Sequence, residues 1–151
     1  MPTISSPKVY FFCQNIHITL KNRTALKQFI EKLFKKEGKK LELINFVFCS
    51  DELLLEMNQK YLNHDFYTDI ISFDLSEDKT AIVGDIYISY DRVKDNAKNL
   101  KSTLENELQR VIFHGALHLC GYKDKTKADI KQMRGKEEEY LTLYSKSIRS
   151  T

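Results

Sequence analysis

The sequence predicts an α+β domain in which helices pack on a single twisted mixed sheet. Segments rich in β-branched and aromatic residues, which are typical of strands, dominate the first half of the chain, and segments with helical apolar spacing dominate the second. The resulting element order is β-α-β-α-β-β-α-α-α, without an internal repeat or a long linker. The length of 151 residues suits one domain, so we expect a single unit over 1–151.

In the first half of the chain, strand-type and helix-type segments alternate. Gly38 can take the positive φ that stops a helix, and Ser50 and Asp51 are residue types that favour the start of one. The predicted elements are one or two strands over 9–20, a helix over 23–38, a strand over 41–49 and a helix over 51–63.

In the second half, two strands precede three helices. A polar turn, SEDKT, separates the two strands. The predicted elements are strands over 69–75 and 81–89, followed by helices over 90–99, 102–120 and 127–145.

Charge and composition exclude several classes of protein. Lys and Arg total 24 against 21 Asp and Glu, and the net charge of +3 is compatible with nucleic acid without requiring it. With 42% hydrophobic residues and only 5 Gly and 2 Pro, the chain is neither disordered nor collagen-like. It contains no run of about 18 apolar residues, so we expect no membrane partner.

The cysteines and the N-terminal segment indicate a reducing compartment. Cys13, Cys49 and Cys120 are odd in number and form no C-x-x-C pair, which is typical of free thiols. The first 20 residues lack a basic region followed by an apolar stretch and a small-residue cleavage site. We therefore expect a cytoplasmic protein.

The segment FHGALHLCGYKD, which ends at Asp124, has the spacing of a metal site. His114 and His118 are four residues apart on a predicted helix, so both imidazoles project from one face and can reach one ion. Gly121 can end the helix, and the returning chain can bring Asp124 to the same ion. Two histidines and one carboxylate leave a fourth position for water, which is the arrangement of a catalytic zinc.

The residues around the histidine pair favour the metal interpretation, although such a pair alone is more often a surface or core feature. The helix is otherwise apolar, and burying two imidazoles in it without partners would be costly. Gly121 and Asp124 stand at matching offsets. Gly115 occupies the position where a zinc peptidase of the H-E-x-x-H type carries its general base, which favours phosphodiester hydrolysis over proteolysis.

Three sequence blocks resemble those of the YbeY family of metal-dependent endoribonucleases. The family patterns are L-N-x-x-Y-R-x-x-D-x-P-T-D-V-L-S-F, G-D-I-x-I-S and H-G-x-L-H-L-x-G-Y, and they occur here in the same order over nearly the whole chain. The matching residues are Asn58, Tyr61, Asp65, Thr68, Asp69, Ser72 and Phe73 in the first block, Gly84, Asp85, Ile86, Ile88 and Ser89 in the second, and 114–122 in the third.

The resemblance implies an α+β fold related to the zincin-like metalloprotease core, with one zinc ion per chain. It implies a preference for single-stranded RNA, and roles in maturing the 3′ end of small-subunit ribosomal RNA and in ribosome quality control. Ribosomal RNA and ribosomal proteins are therefore the expected partners, and DNA is not expected.

The resemblance assigns no catalytic side chain. The candidate nucleophile is a water held by the metal or the 2′-hydroxyl of the RNA, and the sequence leaves both open. Asp69 is the supporting candidate, because a carboxylate can hydrogen-bond a metal-ligating histidine. Its alternative role is a turn carboxylate before a strand.

Four departures from the family pattern bear on the proposed site or its surroundings. Asp124 and Lys123 stand where the family has His and Asp, and a carboxylate ligand also suits harder ions such as manganese. Leu62 replaces an arginine associated with catalysis or phosphate binding, a role that leucine cannot take. Tyr67 replaces a proline.

Three lysines beside the proposed metal site are the predicted RNA contacts, because a polyanion that crosses the site needs local positive charge. They are Lys123, Lys125 and Lys127. The alternative is a solvated face balanced by the acidic run 137–139.

Two other functions stay open at this point. One is a ribosome assembly factor without nuclease activity, in which zinc only staples the helix to the following loop. The other, which Gly115 disfavours, is a metallopeptidase of the zincin type.

Overall fold

The computed structural model describes residues 7–65, 67–78 and 80–149. Within these ranges, four strands and five helices follow one another in the predicted order. They are β1 (Lys8–Gln14), α1 (Arg23–Lys36), β2 (Leu41–Cys49), α2 (Asp51–Leu62), β3 (Ile70–Asp74), β4 (Ile82–Ser89), α3 (Tyr90–Asn99), α4 (Leu104–Leu119) and α5 (Lys127–Arg149).

The four strands form one mixed sheet in the order β1-β2-β4-β3. β1, β2 and β4 run parallel, with Phe11 opposite Phe46 and Phe46 opposite Ile86. β3 runs antiparallel to β4, with Ser72 opposite Ile86. Parallel neighbours need a long crossover connection, and α1 supplies one between β1 and β2.

The main hydrophobic core lies on one face of the sheet, between the strands and α1, α4 and α5. Phe46 and Ile86 are fully buried there with Ile112 of α4. α4 approaches the sheet closely at Gly115, where an added Cβ would lie 2.8 Å from Cγ2 of Ile86. The position of α4, and with it that of the histidine pair, is therefore set by close packing on β4.

α2 packs on the opposite face of the sheet. Leu54 of α2 is buried with Cys49 and Ile71, whose side chains alternate away from the main core. The hydroxyl of Ser50 accepts a hydrogen bond from the backbone N–H of Leu53, so the predicted helix start is confirmed.

The predicted α+β class is confirmed, and the two largest differences between predicted and observed elements lie in where β1 and α5 end. The segment 9–20 forms a single strand that ends at Gln14, because Asn15 has a φ of 66° and this left-handed conformation ends an extended strand. α5 continues to Arg149, because Ile148 extends its apolar face against the core. None of the helices in the described ranges is long and apolar enough to cross a membrane.

Candidate metal centre

α4 carries both histidines of the H-x-x-x-H pair. The side chain of Thr103 caps its start by accepting a hydrogen bond from the backbone N–H of Asn106. Ile112 and Phe113 anchor the helix in the core. His114 lies at the edge of this core with 16% of its side chain exposed, and His118, one turn later, is exposed.

α4 ends in the turn that the sequence predicted at Gly121. The backbone N–H of Gly121 bonds to the carbonyl of His118, and that of Tyr122 bonds to the carbonyl of Leu117. This pair of bonds is the Schellman motif, which needs a left-handed residue, and Gly121 supplies it with a φ of 109°. The chain therefore reverses immediately after the second histidine.

α5 begins after a short loop with a reciprocal cap. The hydroxyl of Thr126 accepts from the backbone N–H of Asp129, and the carboxylate of Asp129 accepts from the backbone N–H of Thr126. The loop is thus fixed at both ends, and Asp124 lies between these two fixed points.

The ring of His114 has a carboxylate at each nitrogen. Nδ1 lies 2.7 Å from Oε2 of Glu137, and Nε2 lies 3.3 Å from Oδ2 of Asp124. The structure therefore brings His114 and Asp124 together, as the spacing predicted. It also adds a second carboxylate, from α5, on the other side of the ring.

Glu137 is a buried carboxylate held by two partners. Its Oε1 accepts from Nη1 of Arg110 at 2.9 Å, and its Oε2 faces His114. Burial raises the pKa of the Glu137 carboxyl, but hydrogen bonds from His114 and Arg110 outweigh burial and hold this pKa below its usual value. An ionised carboxylate can only accept, so Nδ1 of His114 carries the proton and, in the neutral ring, Nε2 keeps its lone pair.

The ring of His118 is oriented by the backbone of the turn. Its Nδ1 lies 3.1 Å from the carbonyl oxygen of Tyr122, which can only accept, so Nδ1 is again the protonated nitrogen. Nε2 has no hydrogen-bond partner among the described residues. Both rings therefore have the tautomer that a metal-ligating histidine uses when its second nitrogen is bound to a carboxylate or a carbonyl.

The donor chemistry of the three predicted ligands suits a divalent cation. In the part of the chain that the structure describes, however, no three His, Cys, Asp or Glu side chains are grouped closely enough to form a metal site. His114 and Asp124 are adjacent, whereas the one hydrogen bond that the described residues give to the His118 ring is to the carbonyl of Tyr122.

Asp69 stands beside this centre but does not bind the histidine ring. Its carboxylate accepts from Nδ2 of Asn96 at 3.4 Å, and its backbone carbonyl accepts from the N–H of Ser89 at the edge of β3. Burial raises the pKa of Asp69, and the charges of His114 and Arg110 oppose this rise. The partner of His114 Nδ1 that sequence reasoning sought at position 69 is Glu137 instead.

A cavity of about 330 Å³ opens where β3, α4 and α5 meet. His114, Asp124 and Asp69 line it together with two arginines, one from α4 and one from α5. The full lining is Thr68, Asp69, Ile70, Arg110, Val111, His114, Asp124, Ile130, Met133, Arg134 and Glu137.

The three lysines predicted to contact RNA are all exposed. Lys123 and Lys125 flank Asp124 in the loop, and Lys127 begins α5. None of the three forms an ion pair with another described residue. The proposed balance with residues 137–139 is wrong for Glu137, which is buried and paired with Arg110.

Sequence reasoning missed Glu137 and the two arginines of the cavity. The signal for Glu137 was its place in the apolar stripe of α5, four residues after Met133 and three before Tyr140, both of which are buried. A carboxylate on a buried stripe needs a cation or a donor, and α4 supplies both.

The fold and the site define a class of α+β protein in which a helix with an H-x-x-x-H pair and its returning loop form one wall of a charged cavity. Within this class, the chain belongs to the endoribonuclease YbeY family, whose model matches residues 11–145.

Individual relatives agree with this membership. The chain is 49% identical over 135 residues to endoribonuclease YbeY of Cytophaga hutchinsonii, which covers 89% of this chain and 94% of that protein. It is 43% identical over 143 residues to endoribonuclease YbeY of Porphyromonas gingivalis, and this alignment covers 95% of this chain and 94% of that protein. A Thermotoga maritima protein of known solution structure superposes on this chain with a TM-score of 0.62 and 28% sequence identity. The superposition covers 94% of this chain and 92% of the Thermotoga maritima chain.

Proposed function

We propose that this chain is a zinc-dependent, single-strand-specific endoribonuclease. The observation that carries the proposal is the state of the two rings on α4. Nδ1 of His114 faces Glu137 and Nδ1 of His118 faces the Tyr122 carbonyl, so in each ring Nε2 is the nitrogen available to a metal ion. Nε2 of His114 lies 3.3 Å from the carboxylate of Asp124, the third proposed ligand. The relatives named endoribonuclease supply the class of substrate.

His114, His118 and Asp124 would hold the ion. When bound, zinc polarises phosphoryl oxygens and lowers the pKa of water. No three His, Cys, Asp or Glu side chains of the described residues are grouped closely enough to hold an ion, so the proposal requires the three ligands to draw together when the ion binds. A carboxylate as third ligand also suits manganese, so manganese is added back as well as zinc in the RNA cleavage assay.

The residues of the chain would prepare the site for RNA. Glu137 orients the His114 ring, and Asp69 adds a third carboxylate to the cavity wall beside Asp124 and Glu137. Lys123, Lys125 and Lys127 would contact the sugar–phosphate backbone as it crosses the loop, because all three are exposed and unpaired with other described residues.

The substrate we propose is the 3′ end of small-subunit ribosomal RNA, in its maturation and in ribosome quality control, with ribosomal proteins as partners. The cytoplasm is the proposed compartment. Three free thiols support it, two of them buried, and burial raises the pKa of the Cys120 thiol to about 12, which keeps it unreactive.

Proteolysis is disfavoured by the surroundings of Gly115. A zinc peptidase would carry its general base at this position, but a Cβ there would lie 2.8 Å from Ile86 Cγ2 and 3.0 Å from Ile70 Cδ1. Position 115 therefore faces the sheet and has no room for a glutamate that reaches the cavity.

RNA cleavage with matched metal conditions tests the proposal. We expect the wild type to cut an end-labelled single-stranded RNA, to leave the same sequence in a duplex intact, and to lose activity with chelator until zinc or manganese is added back. His114→Ala should be inactive, and His17→Ala, which changes an exposed histidine outside the site, should be active.

Two outcomes would contradict the nuclease. If the wild type cuts no RNA with any metal while His118→Ala lowers thermal stability, zinc is a structural staple in an assembly factor. If the wild type degrades casein and His114→Ala does not, the protein is a peptidase. If the wild type does cleave RNA, a 2′-deoxy nucleotide at the cleavage site identifies the nucleophile. Cleavage that persists in this substrate excludes the 2′-hydroxyl.

A further inference from the structure

The cavity beside His114 contains more negative than positive side chains. Asp69, Asp124 and Glu137 face it, against Arg110 and Arg134. An RNA phosphate that enters this cavity meets repulsion from the carboxylates, so besides the proposed metal ion it needs a cation with hydrogen-bond donors that are not already used.

Arg110 cannot serve as that cation. Its Nε and Nη2 donate to Glu107, and its Nη1 donates to Glu137. Only 12% of its side chain is exposed. These contacts hold Arg110 in the wall of the cavity and neutralise two buried carboxylates.

Arg134 has the opposite properties. It lies on α5 at the mouth of the same cavity, with 57% of its side chain exposed. Its one ion pair with a described residue is an approach of Nη1 to Oε1 of Glu137 at 3.6 Å, which is longer than a hydrogen bond. Its guanidinium is therefore close to the site and has its planar fork of donors available.

Arg134 also continues a row of positive charge along α5. Lys127, Lys131 and Arg134 follow one another at intervals of four and three residues, so they share one face of the helix. All three are exposed, and neither lysine is paired with another described residue. Glu138, one turn further, ends the row with a negative charge.

We propose that Arg134 binds a backbone phosphate of the RNA at the mouth of the cavity, and that Lys131 and Lys127 extend this phosphate track along α5. The inference rests on the proposed endoribonuclease function and adds to it the residue that brings the RNA backbone to the histidine pair. Arginine suits this task because it can bind two phosphate oxygens at once.

Binding and cleavage by Arg134 variants test the inference. Binding is measured by fluorescence anisotropy with a 2′-O-methyl single-stranded RNA over a series of salt concentrations, and cleavage with the unmodified RNA. We expect Arg134→Gln to raise the Kd roughly tenfold and to lower the slope of log Kd against log salt by about 0.7, the value for one lost phosphate contact in a single strand. Arg134→Lys should recover most of the salt slope.

Arg149→Gln is the matched control, because Arg149 lies on the same helix but bonds to Ser145 far from the cavity. It should bind RNA like the wild type. The inference is overturned if Arg134→Gln keeps the wild-type Kd and salt slope while the wild type binds and cleaves RNA, or if Arg149→Gln loses as much affinity as Arg134→Gln. A wild type that neither binds nor cleaves RNA overturns the proposed function as well.

Discussion

At the scale of single residues, Glu137 connects the core to the candidate metal centre. Only 1% of this residue is exposed, and a carboxylate so deeply buried is tolerated because Arg110 and His114 bind its two oxygens. The same contact fixes the ring of His114 and its tautomer. Glu137 is therefore a positioning residue for the His114 ring, and in the proposed site it would act on the metal through that ring.

Replacing Glu137 should weaken metal binding more than it weakens the fold. We expect Glu137→Gln to lower zinc affinity by about 10- to 100-fold, because a group that orients a metal-ligating histidine contributes on this scale. Competition with a chromophoric chelator measures this affinity. Glu138→Gln, which changes an exposed neighbour, is the control. Equal zinc affinity in both variants would show that Glu137 serves only the packing of α5.

At the scale of secondary-structure elements, α4 and α5 each contain a glycine inside a helix, in opposite surroundings. Gly115 is buried, and its missing side chain lets α4 lie close to Ile86 and Ile70. Gly135 is exposed on α5, and an added Cβ there would meet no atom within 4 Å. The first glycine is required by packing, and the second only weakens its helix.

Alanine substitution at the two glycines should change the free energy of unfolding in opposite directions. We expect Gly115→Ala to lower the free energy of unfolding by about 1–3 kcal/mol, because the β-branched Ile86 cannot easily move away from the new methyl group. Gly135→Ala should raise it by about 0.5–1 kcal/mol through helix propensity. Urea denaturation of both variants measures these changes. A stabilised Gly115→Ala would mean that α4 can shift on the sheet.

The elements themselves could be predicted because local signals determine them. Thr103 and Ser50 cap helices, and Gly121 ends α4 in the turn that its spacing from His118 predicted. The contact between His114 and Glu137 could not be predicted in this way. It joins residues 23 positions apart and depends on how α5 packs against α4, which no local pattern encodes.

Asp69 illustrates the same limit. The sequence proposed that Asp69 hydrogen-bonds a metal-ligating histidine; in the structure it lines the cavity, and its carboxylate accepts from Asn96 instead. Which carboxylate bonds to His114 depends on distances between β3, α4 and α5, and these distances favour Glu137.

At the scale of the whole molecule, Glu37 connects three distant parts of the chain. It follows α1, and its carboxylate accepts hydrogen bonds from the hydroxyls of Tyr122 and Tyr140 and from Nζ of Lys136 at 3.3 Å. Tyr122 belongs to the turn that orients His118. The Glu37 carboxylate therefore braces the turn after α4 against α1 and α5.

The contribution of Glu37 to stability should depend on pH. Burial raises the pKa of its carboxyl, but the bonds from Tyr122, Tyr140 and Lys136 outweigh burial and hold this pKa below the usual 4.5. The unfolded chain then takes up this proton at a higher pH than the folded chain. The stabilisation is therefore complete above about pH 5 and is lost as the pH falls through the folded pKa.

Glu37→Gln should consequently cost about 1–3 kcal/mol of unfolding free energy at pH 7, and the difference from the wild type should shrink below pH 4.5. Urea denaturation at a series of pH values from 7 to 3 measures it. Glu56→Gln, at an exposed position on α2, should show no such trend. A difference that stays constant with pH would mean that the Glu37 carboxyl is not ionised in the folded state.

The proposed activity requires one metal ion shared by two histidines of α4 and the carboxylate of the following loop. Elemental analysis of the purified protein tests this most directly. We predict about one equivalent of zinc per wild-type chain and loss of most of it in each of His114→Ala, His118→Ala and Asp124→Ala, because a three-ligand site depends on every ligand. Full metal content in any of these variants, or a wild type that stays metal-free after incubation with zinc, would contradict it.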